Sequence, residues 1–245
     1  MIEPLKSSGD TEVELVVLPG LDGTAMLHDD FANAVSPLFK RVHVIAYPPE
    51  QPLSYSELES LVRAQLPKEA HFVLLGESFS GPLAITIASA PPTNLVGLVL
   101  STTFAKPPIP FARVISALVR IGPVRALPMV LLSWLLLGEW STQTLRENLR
   151  TALQKVSPRV LRARALASLR VDVTALLPLI NVPVLCLFAS SDRLLRFGSA
   201  TDFQLCVPCV TITELAGPHL LLQSVPQQSA RVIEAFLART VGRLI

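Results

Sequence analysis

Only three cysteines occur in the 245 residues, and an odd count argues against a disulfide framework. Cys206 and Cys209 form a single CxxC, "QLCVPCV", with no second pair and no histidine at ligand spacing, so a zinc site is not expected. Nor does that CxxC open a helix as a redox motif does, because Val207, Val210 and Ile212 read as the entry to a strand. The cysteines, Cys186 included, are therefore expected to be structural thiols in a reducing compartment. Charge is also scarce, at 16% of residues against 50% hydrophobic, which excludes a disordered chain. Long apolar runs are missing. The densest, Met129 to Gly138 ("MVLLSWLLLG"), falls well short of the roughly 20 residues a membrane span needs, and reads as a buried or interfacial helix. The opening MIEPLKSSGDTEVE is polar and acidic, with nothing of a secretory signal, so a cytoplasmic protein starting near Met1 is the expectation.

What is present is an alternation of short strand-like and helix-like runs. Strands are predicted over Val13 to Leu18, Val42 to Ala46, Phe72 to Leu75, Leu95 to Ser101, Val184 to Ala189 and Val210 to Glu214. Their apolar character is nearly continuous, as a parallel sheet covered on both faces requires. Helices are predicted near Ala25 to Phe39, Ser56 to Leu66, Phe79 to Ala90 and Gln223 to Val241. The plan is a doubly wound α/β domain. It is interrupted once, from Ala105 to Ala175, where helix-like pieces are separated by "PPIP", Gly122-Pro123, Pro128, Gly138 and Ser157-Pro158. The chain thus divides into a core of residues 1–104 and 176–245 and a helical cap of residues 105–175 at the carboxyl edge of the sheet, where open α/β sheets bind ligands. The Pro-rich stretch Lys106 to Pro110 is expected to act as a hinge for the cap.

Residues 105–175 hold eleven Lys and Arg against three Asp and Glu, a net +8, which leaves −6 for the rest of a chain whose total is +2. Basic solvated helix faces account for this as well as an acidic partner or anionic surface steered to the cap does. No aromatic-interleaved basic motif accompanies this charge, so nucleic acid is not an expected partner.

The residues that point to chemistry lie in three places. "HFVLLGESFSGPLAITIASA" carries Gly76-x-Ser78-x-Ser80-Gly81 between a predicted strand and a predicted helix, the setting of a nucleophile elbow. Small residues flank such a serine because neighbouring backbone crowds the turn. A serine needs a base. Of the four histidines, His43 and His71 read as structural and His28 lies in the first helix region, whereas His219, in "ELAGPHLLLQSVP", follows the last strand at the same sheet edge as Ser78. The base needs a carboxylate to hold its tautomer. Asp192 ends a strand in "FASSDRLL", while Asp172 and Asp202 read as surface or capping acids. Backbone N–H groups of Phe79, just after the serine, and of Leu21, in "VVLPGLDGT", are candidates for an oxyanion hole, with Gly20 allowing close approach. Asp22 either fixes that loop or belongs to an ordinary Asp-Gly turn.

On Pro19-Gly20-Leu21, Gly76-Glu77-Ser78-Phe79-Ser80-Gly81, Asp192 and His219, in that chain order, the sequence resembles the α/β-hydrolase superfamily over essentially its whole length. It departs from the family in having Pro19 where many members have histidine, Ser80 in place of a glycine, and no strands before Val13. The resemblance implies the α/β-hydrolase fold, a mostly parallel sheet with helices on both faces and an inserted helical cap. The expected activity is that of a serine carboxylesterase acting on short- to medium-chain acyl esters, with catalytic residues Ser78, Asp192 and His219 and no metal or cofactor. Trp134, Leu136 and Trp140 in the cap are the expected acyl-pocket residues, although helix packing explains them equally well. Within the superfamily the basic cap is similar to that of esterases cleaving pimeloyl-acyl-carrier-protein methyl ester, whose arginines meet an acidic carrier protein. Arg113, Arg120, Arg146, Arg150, Arg159, Arg162 and Arg164 are the candidates here. An acyltransferase using the same three residues, and a non-catalytic binding protein on the same scaffold, are the alternatives.

Overall fold

A computed structural model describes residues 12–107, 112–121, 128–195 and 198–240. Six strands, β1 (Glu14–Leu18), β2 (Arg41–Val44), β3 (Phe72–Glu77), β4 (Leu95–Ser101), β5 (Val184–Ala189) and β6 (Val210–Leu215), form one sheet in the order β2-β1-β3-β4-β5-β6. Every neighbouring pair is parallel. All residues of β3 and β4 are buried, a consequence of covering the sheet on both faces and the reason these segments read as continuous apolar runs. The two-residue period of a strand sorts the side chains between two layers. Leu15, Val17, Val73 and Leu75 pack on one side with Phe31, Ile233 and Phe236, while Val16, Leu18, Phe72 and Leu74 pack on the other with Leu58, Leu83 and Phe203.

The helices arise from local signals. α2 (Tyr55–Arg63) starts at a capping box in which Ser54 and Glu57 satisfy each other's backbone N–H groups. α3 (Gly81–Ser89) comes after a 3₁₀ turn over Ser78–Ser80 and is almost wholly buried. α1 (Asp29–Val35) is shorter than the predicted Ala25 to Phe39, because residues before it form a turn closed by His28 N–H to Ala25 O and Pro37 places a 3₁₀ turn after it. α8 (Gly198–Cys206) lies between β5 and β6, and the final predicted helix is divided into α9 (Leu221–Ser224) and α10 (Pro226–Thr240), since Pro226 has no N–H to continue the first. α1 and α10 pack together on one face of the sheet.

Between β4 and β5 the described residues contain no strand. They form α4 (Ala112–Ile121), α5 (Met129–Leu136), α6 (Gln143–Gln154) and α7 (Pro158–Ser168), the last two capped by Thr142 and Ser157. The excursion leaves and rejoins the core at one point, where Val173 N–H donates to Ala105 O at 2.8 Å. A 3₁₀ segment, Thr174–Leu179, straddles the boundary expected at Ala175 and packs on α3. The predicted hinge at Lys106 to Pro110 lies mostly outside the described residues, as do the side chain of Arg113 and all of Arg125. No helix among the described residues is long and apolar enough to cross a membrane.

The sheet order also locates a crevice. β1 lies between β2 and β3, so the chain reverses direction across the sheet there, and a crevice opens at the carboxyl ends of β1 and β3. The register Leu18↔Gly76 sets the loop beginning at Pro19 beside the turn beginning at Glu77.

Candidate active site

Ser78 stands at that turn with φ +47°, in the left-handed region that a residue bearing a Cβ adopts at a penalty of about 1–3 kcal/mol. Several contacts hold it there. Thr103 Oγ1 donates to Ser78 O at 2.5 Å, and a Cβ on Gly81 would lie 1.8 Å from that same Thr103 oxygen. A Cβ on Gly76 would lie 2.7 Å from Ala84 Cβ and 2.9 Å from Ser80 O, both fixed by α3. Gly76→Ala should therefore destabilise the protein by about 1–3 kcal/mol through overpacking, measured by chemical unfolding. A variant as stable as the wild type would show that the strand and α3 can separate.

Ser80 takes the position where the family pattern has glycine, and the structure gives the reason. Its φ is −84°, which any residue accepts, and its hydroxyl, wholly buried, donates to Pro19 O and accepts from Tyr47 O–H at 2.6 Å. The serine thus ties the turn to the loop after β1. Burial pushes the Tyr47 hydroxyl's pKa up, so it remains a donor. The adjacent Phe79 is held by Tyr55, whose ring stacks on it at 4.9 Å and whose hydroxyl donates to Phe79 O at 2.8 Å.

His219 and Asp192 reach Ser78 from the far side of the crevice. The loops after β5 and β6 are laced together by Ser190 N–H to Leu215 O and Ser191 N–H to Gly217 O, at 2.9 and 3.0 Å. This holds Asp192 Oδ2 2.7 Å from His219 Nδ1, and His219 Nε2 2.8 Å from Ser78 Oγ. Asp192 Oδ1 accepts from the N–H groups of Leu194 and Leu195, both at 2.8 Å. An ionised Asp192 only accepts, which assigns the Nδ1–H tautomer to His219 and leaves Nε2 to accept from the serine hydroxyl. His219 is 2% exposed. Three residues separated in the chain are brought into one hydrogen-bonded line.

The loop Pro19 to Gly23 is pinned by its carbonyls. Pro19 O is held by Ser80, Gly20 O accepts from Gly23 N–H at 3.0 Å, and Leu21 O and Asp22 O accept from Arg164 Nη1 at 3.1 and 2.6 Å. Asp22 accepts from Thr24 through both its N–H and its hydroxyl, and burial raises its pKa. Arg164 corrects one expectation. It is 2% exposed, not a surface arginine, and so is unavailable to a carrier protein, whereas Arg146, Arg150 and Arg159 are exposed. The helical period placed it on the inner face of α7 with Val160 and Ser168, all buried.

Beneath the turn lies a polar cluster that the sequence did not announce. His28 is buried beside Glu77, with Nε2 2.9 Å from Oε2, and Gln223 Nε2 donates to Glu77 Oε1 at 3.0 Å. Burial disfavours both charges, but Glu77 outweighs it at His28, whose pKa is raised, and His28 with Gln223 outweighs it at Glu77, whose pKa is lowered. Each side chain thus favours the charged form of the other. A carboxylate ending an apolar strand was the one signal available, and its partner lies 49 residues away.

The three expected acyl-pocket residues part company. α5 is apolar all round, and its spacing turns Leu132 and Leu136 inward, where they pack with Leu27, Leu137, Leu149 and Leu220. Leu220 N–H donates to Leu136 O at 3.0 Å, so Leu136 contacts the residue next to His219. Trp134 falls on the opposite face with Val130 and Leu131 and is 55% exposed, with the Arg193 guanidinium 4.5 Å above its ring. It does not form a buried pocket wall. Trp140 is half-buried at the end of a 3₁₀ turn. Among the described residues, no group of three or more His, Cys, Asp and Glu is placed to hold a metal ion.

No protein-family profile matches the chain, and no curated protein does. Solved structures are similar in fold at low identity. An enol-lactonase from Burkholderia xenovorans has a TM-score of 0.79 at 16% identity, covering 94% of this chain and 92% of its own. A lipase-esterase related protein from Clostridium acetobutylicum has 0.78 at 14%, covering 93% and 96%. A thermophilic esterase from Thermogutta terrifontis has 0.74 at 21%, covering 94% and 91%.

Proposed function

We propose that this chain, which has the α/β-hydrolase fold, is a serine carboxylesterase. The observation that carries the reading is the line Ser78 Oγ, His219 Nε2 and Nδ1, Asp192 Oδ2, with contacts of 2.8 and 2.7 Å, around a serine held at φ +47°. A serine hydroxyl is by itself a weak nucleophile. A neutral imidazole aimed at its proton removes that weakness, and a carboxylate on the other ring nitrogen stabilises the imidazolium that results.

Ser78 Oγ attacks the ester carbonyl as its proton passes to His219 Nε2. The carbonyl oxygen takes the electron pair and is received by the N–H groups of Leu21 and Phe79. The tetrahedral species collapses when His219 returns the proton to the departing alkoxide, leaving the acyl group on Ser78 and releasing an alcohol. Water then gives a proton to His219, attacks the acyl-enzyme, and the acid leaves as Ser78 regains its hydrogen. No step calls for a metal or a cofactor. The helices α5 to α7 act as the cap, since Leu136, Ser157 and Arg164 each hydrogen-bond a loop at the carboxyl edge of the sheet.

The test is hydrolysis of p-nitrophenyl esters from C2 to C12 by the wild type and by Ser78→Ala. The wild type is expected to turn over short- to medium-chain esters, with kcat reduced by about 10⁴–10⁶ in the variant. Equal rates in the two proteins would remove Ser78 from the mechanism.

A further inference from the structure

We infer that Arg164 is a positioning residue for the oxyanion hole, through which the inserted helices set the orientation of the Leu21 N–H. The inference rests on the proposed esterase reading and adds to it a residue that never touches substrate.

A loop donor is useful only if its N–H points at the developing oxyanion before reaction begins, because preorganisation is what makes such a donor effective. In a trans peptide the N–H and C=O of one unit point in opposite directions. The Leu21 N–H is therefore aimed by whatever holds the Gly20 carbonyl, and that carbonyl is closed into a turn by Gly23 N–H. Its side-chain support from within is the Asp22 carboxylate, which accepts from Thr24. Two of its carbonyls, Leu21 O and Asp22 O, point instead to Arg164 Nη1, while Nη2 donates to Pro48 O at 3.1 Å. The guanidinium also lies over the Tyr47 ring, 5.4 Å from its centroid. Tyr47 is the residue that donates to Ser80, so the plane of Arg164 spans both supports of the loop.

The loop is shaped around this side chain. Gly23 has φ +67°, and a Cβ there would stand 2.3 Å from Arg164 Nη1 and 2.9 Å from Tyr47 Cδ2. Burying a guanidinium against carbonyl oxygens is an expensive way to join a helix to two loops, and a planar fork of donors that remains protonated is the group suited to several carbonyls at once. Arg164 belongs to α7, within the helices inserted between β4 and β5. The geometry makes the reach of one side chain from the cap a condition for an aligned oxyanion donor in the core.

The experiment compares wild type, Arg164→Met and Arg164→Lys with a p-nitrophenyl ester, at a temperature where circular dichroism shows each protein folded. Arg164→Met should lower kcat by about 10–10³-fold, the upper end being the loss of one donor, with KM changed less than threefold. Arg164→Lys, which offers one nitrogen where Arg164 uses two to reach three carbonyls, should fall between the two. Across the three proteins the inhibition constant of a trifluoromethyl ketone, which forms a tetrahedral adduct, should rise by the same factor as kcat/KM falls. A merely structural arginine would lower Tm and leave that correlation absent. Wild-type kcat in folded Arg164→Met, or in Arg164→Lys should the methionine variant not fold, would overturn this inference alone. Absence of Ser78-dependent hydrolysis in the wild type would overturn the esterase reading and this inference with it.

Discussion

Ser78→Gly is expected to be inactive toward esters and yet to melt a few degrees higher than Ser78→Ala. Both variants lack the hydroxyl that His219 faces, so both lose the proposed nucleophile. They differ in the backbone. At φ +47° a Cβ meets the following carbonyl, a penalty of roughly 1–2 kcal/mol that alanine keeps and glycine does not. Glycine gives back about 0.5–1 kcal/mol through the greater freedom of the unfolded chain. The net gain of about 0.5–1 kcal/mol corresponds to roughly 1–4 °C in a domain of this size. Calorimetry of the two variants checks it. Equal Tm values would mean that the turn relaxes once the hydroxyl is gone, and that the left-handed backbone is a consequence of the Ser78 to His219 contact instead of its precondition. The sign of the difference therefore says whether the fold prepares the serine or the serine shapes the fold.

That the sequence could put Ser78, Asp192 and His219 near one another stems from where the parallel strands end. Each residue comes soon after an apolar run, and in a parallel sheet all such points share one edge, so three local readings suffice to bring together side chains spread over 141 residues. Arg164 escaped because it lies among Arg159, Arg162 and Arg170, and basic composition alone does not distinguish them. Its period with Val160 and Ser168 does, once the helix is known to pack inward. Trp134 erred the other way. A segment apolar at nearly every position has no preferred face, so the sequence of α5 does not say which of its side chains turn toward the core. Ser80 was legible as a departure from a glycine pattern but not as a hydrogen-bond donor, because its acceptor, Pro19 O, is a backbone atom that no sequence motif advertises.

Breaking the His28 and Glu77 pair is expected to be strongly destabilising. Removing one partner of a buried ion pair leaves the other charge uncompensated, at about 3–5 kcal/mol. His28→Leu and Glu77→Leu should each fall in that range, measured by urea unfolding, while the double variant should lose much less than their sum, since no isolated charge remains. The pH dependence has a definite sign. The raised pKa of His28, ordinarily 6.5, contributes stability that is present below 6.5 and lost as pH rises through the higher folded value. The lowered pKa of Glu77, ordinarily 4.5, contributes stability that is present above 4.5 and lost as pH falls through the lower folded value. Asp22 and Asp29 also face His28, and His219 faces Glu77, all acting in the same directions. The stability difference between wild type and the double variant should therefore be greatest between about pH 4.5 and 6.5 and shrink on either side. A double variant as unstable as the two single variants added together would show that the side chains act independently. Glu77 would then be held under the turn by Gln223, and the loss of His28 would be a packing defect at the start of α1.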